Sequence, residues 1–132
     1  KLEKQKKAVD NLEKKESTTD IVNRFLDQDA DVFYLKHGDD EHEVKFSDLS
    51  DGLQQKIKDE INQKLDKIGD ALKAYDDAEQ ENPNSDNSKL RQAFYDAEKE
   101  SGAIGGGSAL MSLGKDLGID LSDKEDIPFN EY

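Results

Sequence analysis

Three aspartates alternate with other residues as the first ligands of a calcium-binding loop do: Asp27, Asp29 and Asp31. Carboxylate oxygens suit Ca²⁺, and an EF-hand loop adds glycine at its sixth position and glutamate at its twelfth. Those two positions hold Val32 and Gly38 here, so the pattern fails as an EF-hand. We expect a solvated acidic turn. Weak calcium binding by this run together with residues 39–41 is the alternative.

Two histidines, His37 and His42, flank a stretch of turn-forming residues and could face each other across it, close to several carboxylates. Imidazole and carboxylate groups are common metal ligands, and such a site would suit a metal-assisted hydrolase. No third ligand stands out, and neither histidine has a candidate nucleophile nearby. We therefore expect no metal and no cofactor, and the hydrolase is the least favoured of three functions.

The glycine-rich residues 105–108 (GGGS) invite comparison with catalytic and phosphate-binding loops. A nucleophile elbow needs Gly-x-Ser-x-Gly, but Leu110 stands at its last position. The phosphate-binding loop of NTPases needs glycine where Ala109 stands and Ser or Thr where Asp116 stands. We expect these small residues to permit close backbone packing or a hinge.

Acidic residues are too numerous for any one pair to indicate acid–base catalysis, since 32 acids against 19 basic residues give a net charge of −13. Catalytic groups need pKa values shifted by their surroundings, whereas most of these acids fall on the polar faces of predicted helices. The charge also disfavours nucleic acid and anionic membranes, which attract clustered Lys and Arg. The sequence has no cysteine, which removes disulfides and thiolate zinc sites. We expect a protein that is not an enzyme.

Residues 101–114 carry no charge, although 39% of the chain is charged. A segment of this kind leaves water, either into the core or onto a partner, and the sequence leaves both alternatives open. It is shorter than the about 20 apolar residues that span a bilayer, so we expect no membrane insertion. The candidate partner-binding residues are its apolar side chains and the acids around a predicted hairpin: Ala103, Ile104, Leu110, Met111, Asp27, Asp29, Asp31, Asp39, Asp40 and Glu41.

The spacing of apolar residues predicts the elements that would position these groups. Residues 1–16 contain six lysines, four acids and a thin apolar stripe, which predicts a charged helical extension or tether, and residues 17–132 are expected to form a single globular domain. The fold class is α+β and mostly helical, with one β-hairpin (about 32–46) packed on a long central helix (about 50–80). Alternation predicts strands near residues 32–37 and 42–46, and helical periodicity predicts shorter helices at 17–26, 89–100 and 109–117. Apolar residues in steps of four and three predict the long helix, and residues 81–88 have the composition of a loop. Ser17 and Asp20 form a capping-box pattern, and Gly118 is a natural C-cap.

These features favour a non-catalytic protein–protein interaction module whose partner is another protein. The alternative is an acidic immunity or inhibitor protein that neutralises a basic target, such as a nuclease or other toxin, because charge complementarity speeds such encounters. The chain does not begin with methionine, so we expect an exported or membrane-anchored protein, with a signal alone or a signal and a lipidated anchor upstream, located extracytoplasmically or at the cell surface. A cytoplasmic protein is the alternative.

Overall fold

The computed structural model describes residues 2–28, 31–37, 39–101, 106–124 and 127. Within these ranges the chain forms five helices and one antiparallel hairpin, which confirms the mostly helical α+β fold. In chain order the elements are α1 (Leu2–Lys15), α2 (Thr18–Gln28), β1 (Val32–His37), β2 (Asp40–Lys45), α3 (Asp51–Glu81), α4 (Ser88–Glu100) and α5 (Gly106–Asp116). Short 3-10 turns lie at Phe46–Asp48 and Ser122–Lys124.

The charged first segment is the helix α1, and its apolar stripe enters the main core. Val9 and Leu12 are buried in the same cluster as the apolar face of α2. The start of α2 is capped in both directions, as the sequence predicts. The Ser17 hydroxyl accepts from the backbone N–H of Asp20 (3.1 Å), and the Asp20 carboxylate accepts from the N–H of Ser17 (3.4 Å). Both helices are therefore fixed against the hairpin, α1 beside β2 and α2 beside β1.

The hairpin pairs Val32 with Lys45 at its open end and His37 with Asp40 at its turn. β2 begins two residues earlier than the sequence predicted, because two residues suffice to connect antiparallel strands. Its predicted last residue, Phe46, instead begins a 3-10 turn and is buried. Because side chains alternate between the two faces of a strand, Phe33 lies in the core while Tyr34 is exposed on the outer face.

The long helix α3 is the predicted central helix, and its 31 residues span about 46 Å at about 1.5 Å per residue. Its N-cap is Ser50, whose hydroxyl accepts from the N–H of Leu53 (3.3 Å). The buried residues of this helix are Ile57, Ile61, Leu65 and Ile68. The first three join the main core, whereas Ile68 belongs to a second, smaller cluster. One helix therefore supports two apolar clusters along its length.

Helix α4 runs antiparallel to α3 and closes the smaller cluster with Phe94 and Ala97. The direction follows from contacts at both ends. Asn87, before α4, donates to Glu79 near the end of α3 (3.3 Å), while Glu100, at the end of α4, pairs with Lys67 in the middle of α3. The short connection predicted from the composition of residues 81–88 accounts for this arrangement.

Helix α5 begins at Gly106, three residues before the start that the sequence predicted, because glycines enter its first turn. Gly114 lets α5 pack closely against Leu121 and against α3, since a Cβ there would lie 2.7 Å from the Cδ1 of Leu121 and 3.3 Å from the Cγ2 of Ile61 on α3. The helix ends at Asp116, and the predicted capping glycine, Gly118, follows it with φ of 83°. The N–H of Ile119 donates to the Gly114 carbonyl (2.9 Å), which completes a Schellman motif.

Candidate functional site

The candidate acids lie in two groups at opposite ends of the hairpin. Asp27 and Asp31 are exposed beside the start of β1, while Asp39, Asp40 and Glu41 are exposed at the turn. The six residues of β1 separate the groups by about 17 Å at about 3.3 Å per residue. The single calcium site that would combine both groups is therefore not formed. Asp29 lies outside the described residues.

The two histidines, which could have faced each other across the turn, are not paired directly opposite each other in the hairpin. The register pairs His42 with Leu35 and His37 with Asp40, because the strands continue inward to a two-residue connection. His42 is half-buried. In the part of the chain that the structure describes, no group of three or more His, Cys, Asp or Glu side chains is placed to hold a metal ion.

The apolar candidates divide between the core and the undescribed part of the chain. Leu110 is fully buried and Met111 is 7% exposed, and both belong to the main core cluster. Leu110, Met111 and Leu113 therefore leave water by entering the core, which decides for these side chains the alternative that the sequence left open. Ala103 and Ile104 lie outside the described residues.

A cleft that the sequence did not predict lies between α1 and the segment that leads into α3. Its volume is about 460 Å³, and α1 lines it with Lys6, Val9, Asp10 and Glu13 while residues 48–50 line the other side. Val9 and Leu49, each 3% exposed, form an apolar floor. The sequence signal was the sharing of one helix face by the α1 residues, but nothing local showed that residues 48–50 lie opposite them.

Two hydrogen bonds from Ser50 to Glu13 hold the two sides of this cleft together. One carboxylate oxygen of Glu13 accepts from the Ser50 backbone N–H (3.1 Å) and from the Ser50 hydroxyl (2.5 Å). The same hydroxyl accepts from Leu53 as the N-cap of α3. A negative group near a helix N-terminus is favourable because of the helix dipole, so Glu13 stabilises both the helix start and the position of α1.

Replacing Ser50 with alanine is expected to lower the free energy of unfolding by about 0.5–2 kcal/mol, the usual cost of removing an N-cap side chain. Urea unfolding of the wild type and the variant measures this difference. Ser47→Ala is the matched control, because Ser47 is exposed one turn before the helix, and it should change stability by less than about 0.5 kcal/mol. Equal losses for the two variants would show that Ser50 does not cap α3.

A second, smaller cleft of about 250 Å³ lies on the other side of α1, beside Arg24 and Lys15. The guanidinium of Arg24 donates through Nε to both carboxylate oxygens of Glu16 (2.9 and 2.8 Å). It also lies 5.8 Å from the centroid of the Phe33 ring. Glu16 therefore compensates the charge of Arg24 in this cleft.

The C-terminal 3-10 turn is joined to α3 by Lys124, whose ammonium lies 3.0 Å from an Asp66 carboxylate oxygen and 3.3 Å from one of Asp123. Burial by itself would lower the pKa of Lys124, but the hydrogen bonds and charges of the two aspartates outweigh it and raise the pKa above its ordinary value. The pairing therefore favours the charged lysine in the folded state.

The raised pKa of Lys124 predicts that its stabilising contribution is fully present below the unfolded-state value of about 10.4 and is lost as the pH rises through the higher folded-state value. Lys124→Met should therefore be destabilising at neutral pH and lose that deficit in strong base. Urea unfolding of both proteins on either side of this pH measures the effect. Lys99→Met, at an exposed position, is the control. A deficit that stays constant with pH would contradict the prediction.

Comparison with known protein families, curated proteins and solved structures finds no match to this chain. In the described ranges, none of the helices combines the length and the apolar character needed to cross a membrane.

Proposed function

We propose that this protein is a non-catalytic interaction module that binds a basic partner protein through its acidic surface. One observation carries the proposal: the described candidate acids, Asp27, Asp31, Asp39, Asp40 and Glu41, are exposed, and within the described residues their carboxylates form no ion pair with the protein. Unpaired carboxylates attract a basic surface, and the opposite charges of that surface compensate the hydration that the carboxylates lose when it covers them.

The distribution of apolar side chains supports the same kind of partner. Leu110 and Met111 are buried in the main core. Among the described residues, Tyr34, 51% exposed, is the one large apolar side chain on the surface. An interface driven mainly by apolar contact usually needs a contiguous apolar patch. Charge is therefore the stronger source of recognition on the described surface.

Affinity capture tests the proposal, with the tagged protein presented to separated envelope, secreted and cytosolic fractions and washed at low and at high salt. We expect basic proteins to be retained at low salt and released at high salt, because salt screens exposed charges. Retention that survives high salt would contradict a charge-driven interface, and capture of nothing in any fraction would contradict the module itself.

A pair of charge-matched variants places the interface. The first neutralises the hairpin turn with Asp39→Asn, Asp40→Asn and Glu41→Gln. The second removes the same number of charges from exposed positions in the second half of α3 with Asp70→Asn, Asp76→Asn and Glu81→Gln. We expect the turn variant to capture less partner than the α3 variant. The opposite order would move the interface away from the hairpin.

The second candidate function, inhibition of a basic nuclease or other toxin, is favoured by the consecutive exposed carboxylates at the hairpin turn. Such carboxylates can occupy the positive surface that a toxin uses for phosphates. The activity of a captured partner, assayed with and without an equimolar amount of this protein, distinguishes the two functions. Full activity in the complex identifies a module that is not an inhibitor.

A further inference from the structure

The cleft between α1 and residues 48–50 has the size and composition of a binding site. Its volume of about 460 Å³ lies within the range of about 300–1,000 Å³ that is typical of ligand pockets. The floor formed by Val9 and Leu49 is apolar, and both residues belong to the main core. The floor is therefore fixed in place by the packing beneath it.

Carboxylates outnumber cations around this floor. Asp10, Glu13 and Asp48 line the cleft, against the single described cation Lys6. Glu13 is held by Ser50, and the Asp48 carboxylate is oriented by the N–H of Lys45, which donates to it at 2.9 Å. Asp10 is exposed and forms no hydrogen bond or ion pair with the described residues. The lining thus combines oriented carboxylates with one that is available to a ligand.

We infer that this cleft binds the side chain of an arginine or lysine that projects from the basic partner. Such a side chain has an apolar stem and a cationic head. The stem fits the floor of Val9 and Leu49, and the head fits the carboxylates of Asp10 and Asp48. The inference rests on the proposed function and names the part of the partner that this site recognises.

The charge of Lys6 predicts a change in binding strength that a purely structural cleft would not show. It lies one helical turn before Asp10 on α1 and lines the same cleft, so its ammonium repels an incoming cation. Removing this charge should strengthen the binding of a cationic side chain, whereas removing the charge of Asp10 should weaken it.

The probe is N-acetyl-arginine methylamide, with the neutral N-acetyl-citrulline methylamide as control and sodium chloride added to match ionic strength. Both are titrated into the full chain, and backbone amide shifts are followed by NMR. We expect saturable shifts at residues 6–13 and 48–50 with the arginine probe alone. Asp10→Asn should weaken binding about two- to fivefold and Lys6→Gln should strengthen it by a similar factor, as suits single exposed charges.

The control variant is Asp76→Asn, which removes one charge from an exposed position of α3 outside the cleft lining and should leave binding unchanged. Equal shifts with the citrulline probe would overturn the inference, and so would an Asp10→Asn variant that weakens binding no more than Asp76→Asn. Weaker binding of the arginine probe to Lys6→Gln than to the wild type would also overturn the inference.

The failure of this inference and the failure of the proposed function are distinguishable. If the wild type and Asp10→Asn capture the same basic partner equally, the interaction module stands and the cleft is not its recognition site. If the arginine probe binds but no basic partner is captured, the chemistry of the cleft stands and the proposed function falls.

Discussion

Replacing Phe33 with alanine is expected to lower the free energy of unfolding by about 3–5 kcal/mol, the usual cost of removing a buried aromatic ring. The Phe33 side chain is 1% exposed and meets the ring of Phe25 edge-on, with centroids 4.8 Å apart. The guanidinium of Arg24 also lies over the Phe33 ring, 5.8 Å from its centroid. Urea unfolding measures the loss.

Tyr34→Ala is the matched control for this prediction, because Tyr34 is the next residue of the same strand and is 51% exposed. The two substitutions remove aromatic rings of similar size from opposite faces of the hairpin. The control should cost less than about 1 kcal/mol, mainly through β-propensity. Similar losses at both positions, or a larger loss at Tyr34, would contradict the observed hairpin register.

Replacing Leu110 with alanine is expected to cost about 2–5 kcal/mol of stability, because the substitution leaves a cavity in the main core. Leu110 is fully buried in the same cluster as Ile61 and Leu65 of α3. This substitution distinguishes the two explanations for a charge-free segment, which are burial in the core and contact with a partner. A core residue changes the free energy of unfolding, whereas a residue at an interface mainly changes the affinity for a partner.

Ser112→Ala provides the comparison on the same helix, since Ser112 is exposed two residues further along α5. Its effect on stability should stay within about 0.5 kcal/mol. Wild-type stability for Leu110→Ala would contradict the packing of α5, and it would return residues 106–114 to the candidates for an interface.

Periodicity predicted most elements of this fold because each depends on the spacing of nearby residues. The apolar steps of four and three predicted α3, and the structure buries Ile57, Ile61 and Leu65 from that series. The cap at Ser17 and the capping glycine Gly118 were also predicted from the sequence, since both depend on local backbone hydrogen bonding and conformation.

The predicted starts of β2 and α5 were wrong because the local sequence at each was compatible with two different structures. Turn-forming residues continue from His37 to His42, so composition did not show that β2 begins at Asp40. Glycine disfavours helix, and tertiary packing overrides that preference when α5 begins at Gly106. In each case the deciding contacts lie outside the segment itself.

The cleft could not be predicted because its two sides come from distant parts of the chain. Val9 and Leu49 meet only after α1 packs beside β2, and the bonds between Glu13 and Ser50 join residues 37 positions apart. The acids at the hairpin were visible as candidates, but their separation into two groups depends on the strand register.

The central claim is that opposite charge drives the recognition of a basic protein. Its most direct test is the dissociation constant of a captured and purified partner, measured by calorimetry as sodium chloride rises from about 0.1 M to about 1 M, over which the Debye length falls from about 10 Å to about 3 Å. We predict that binding weakens progressively across this series. A dissociation constant that stays unchanged would contradict the account.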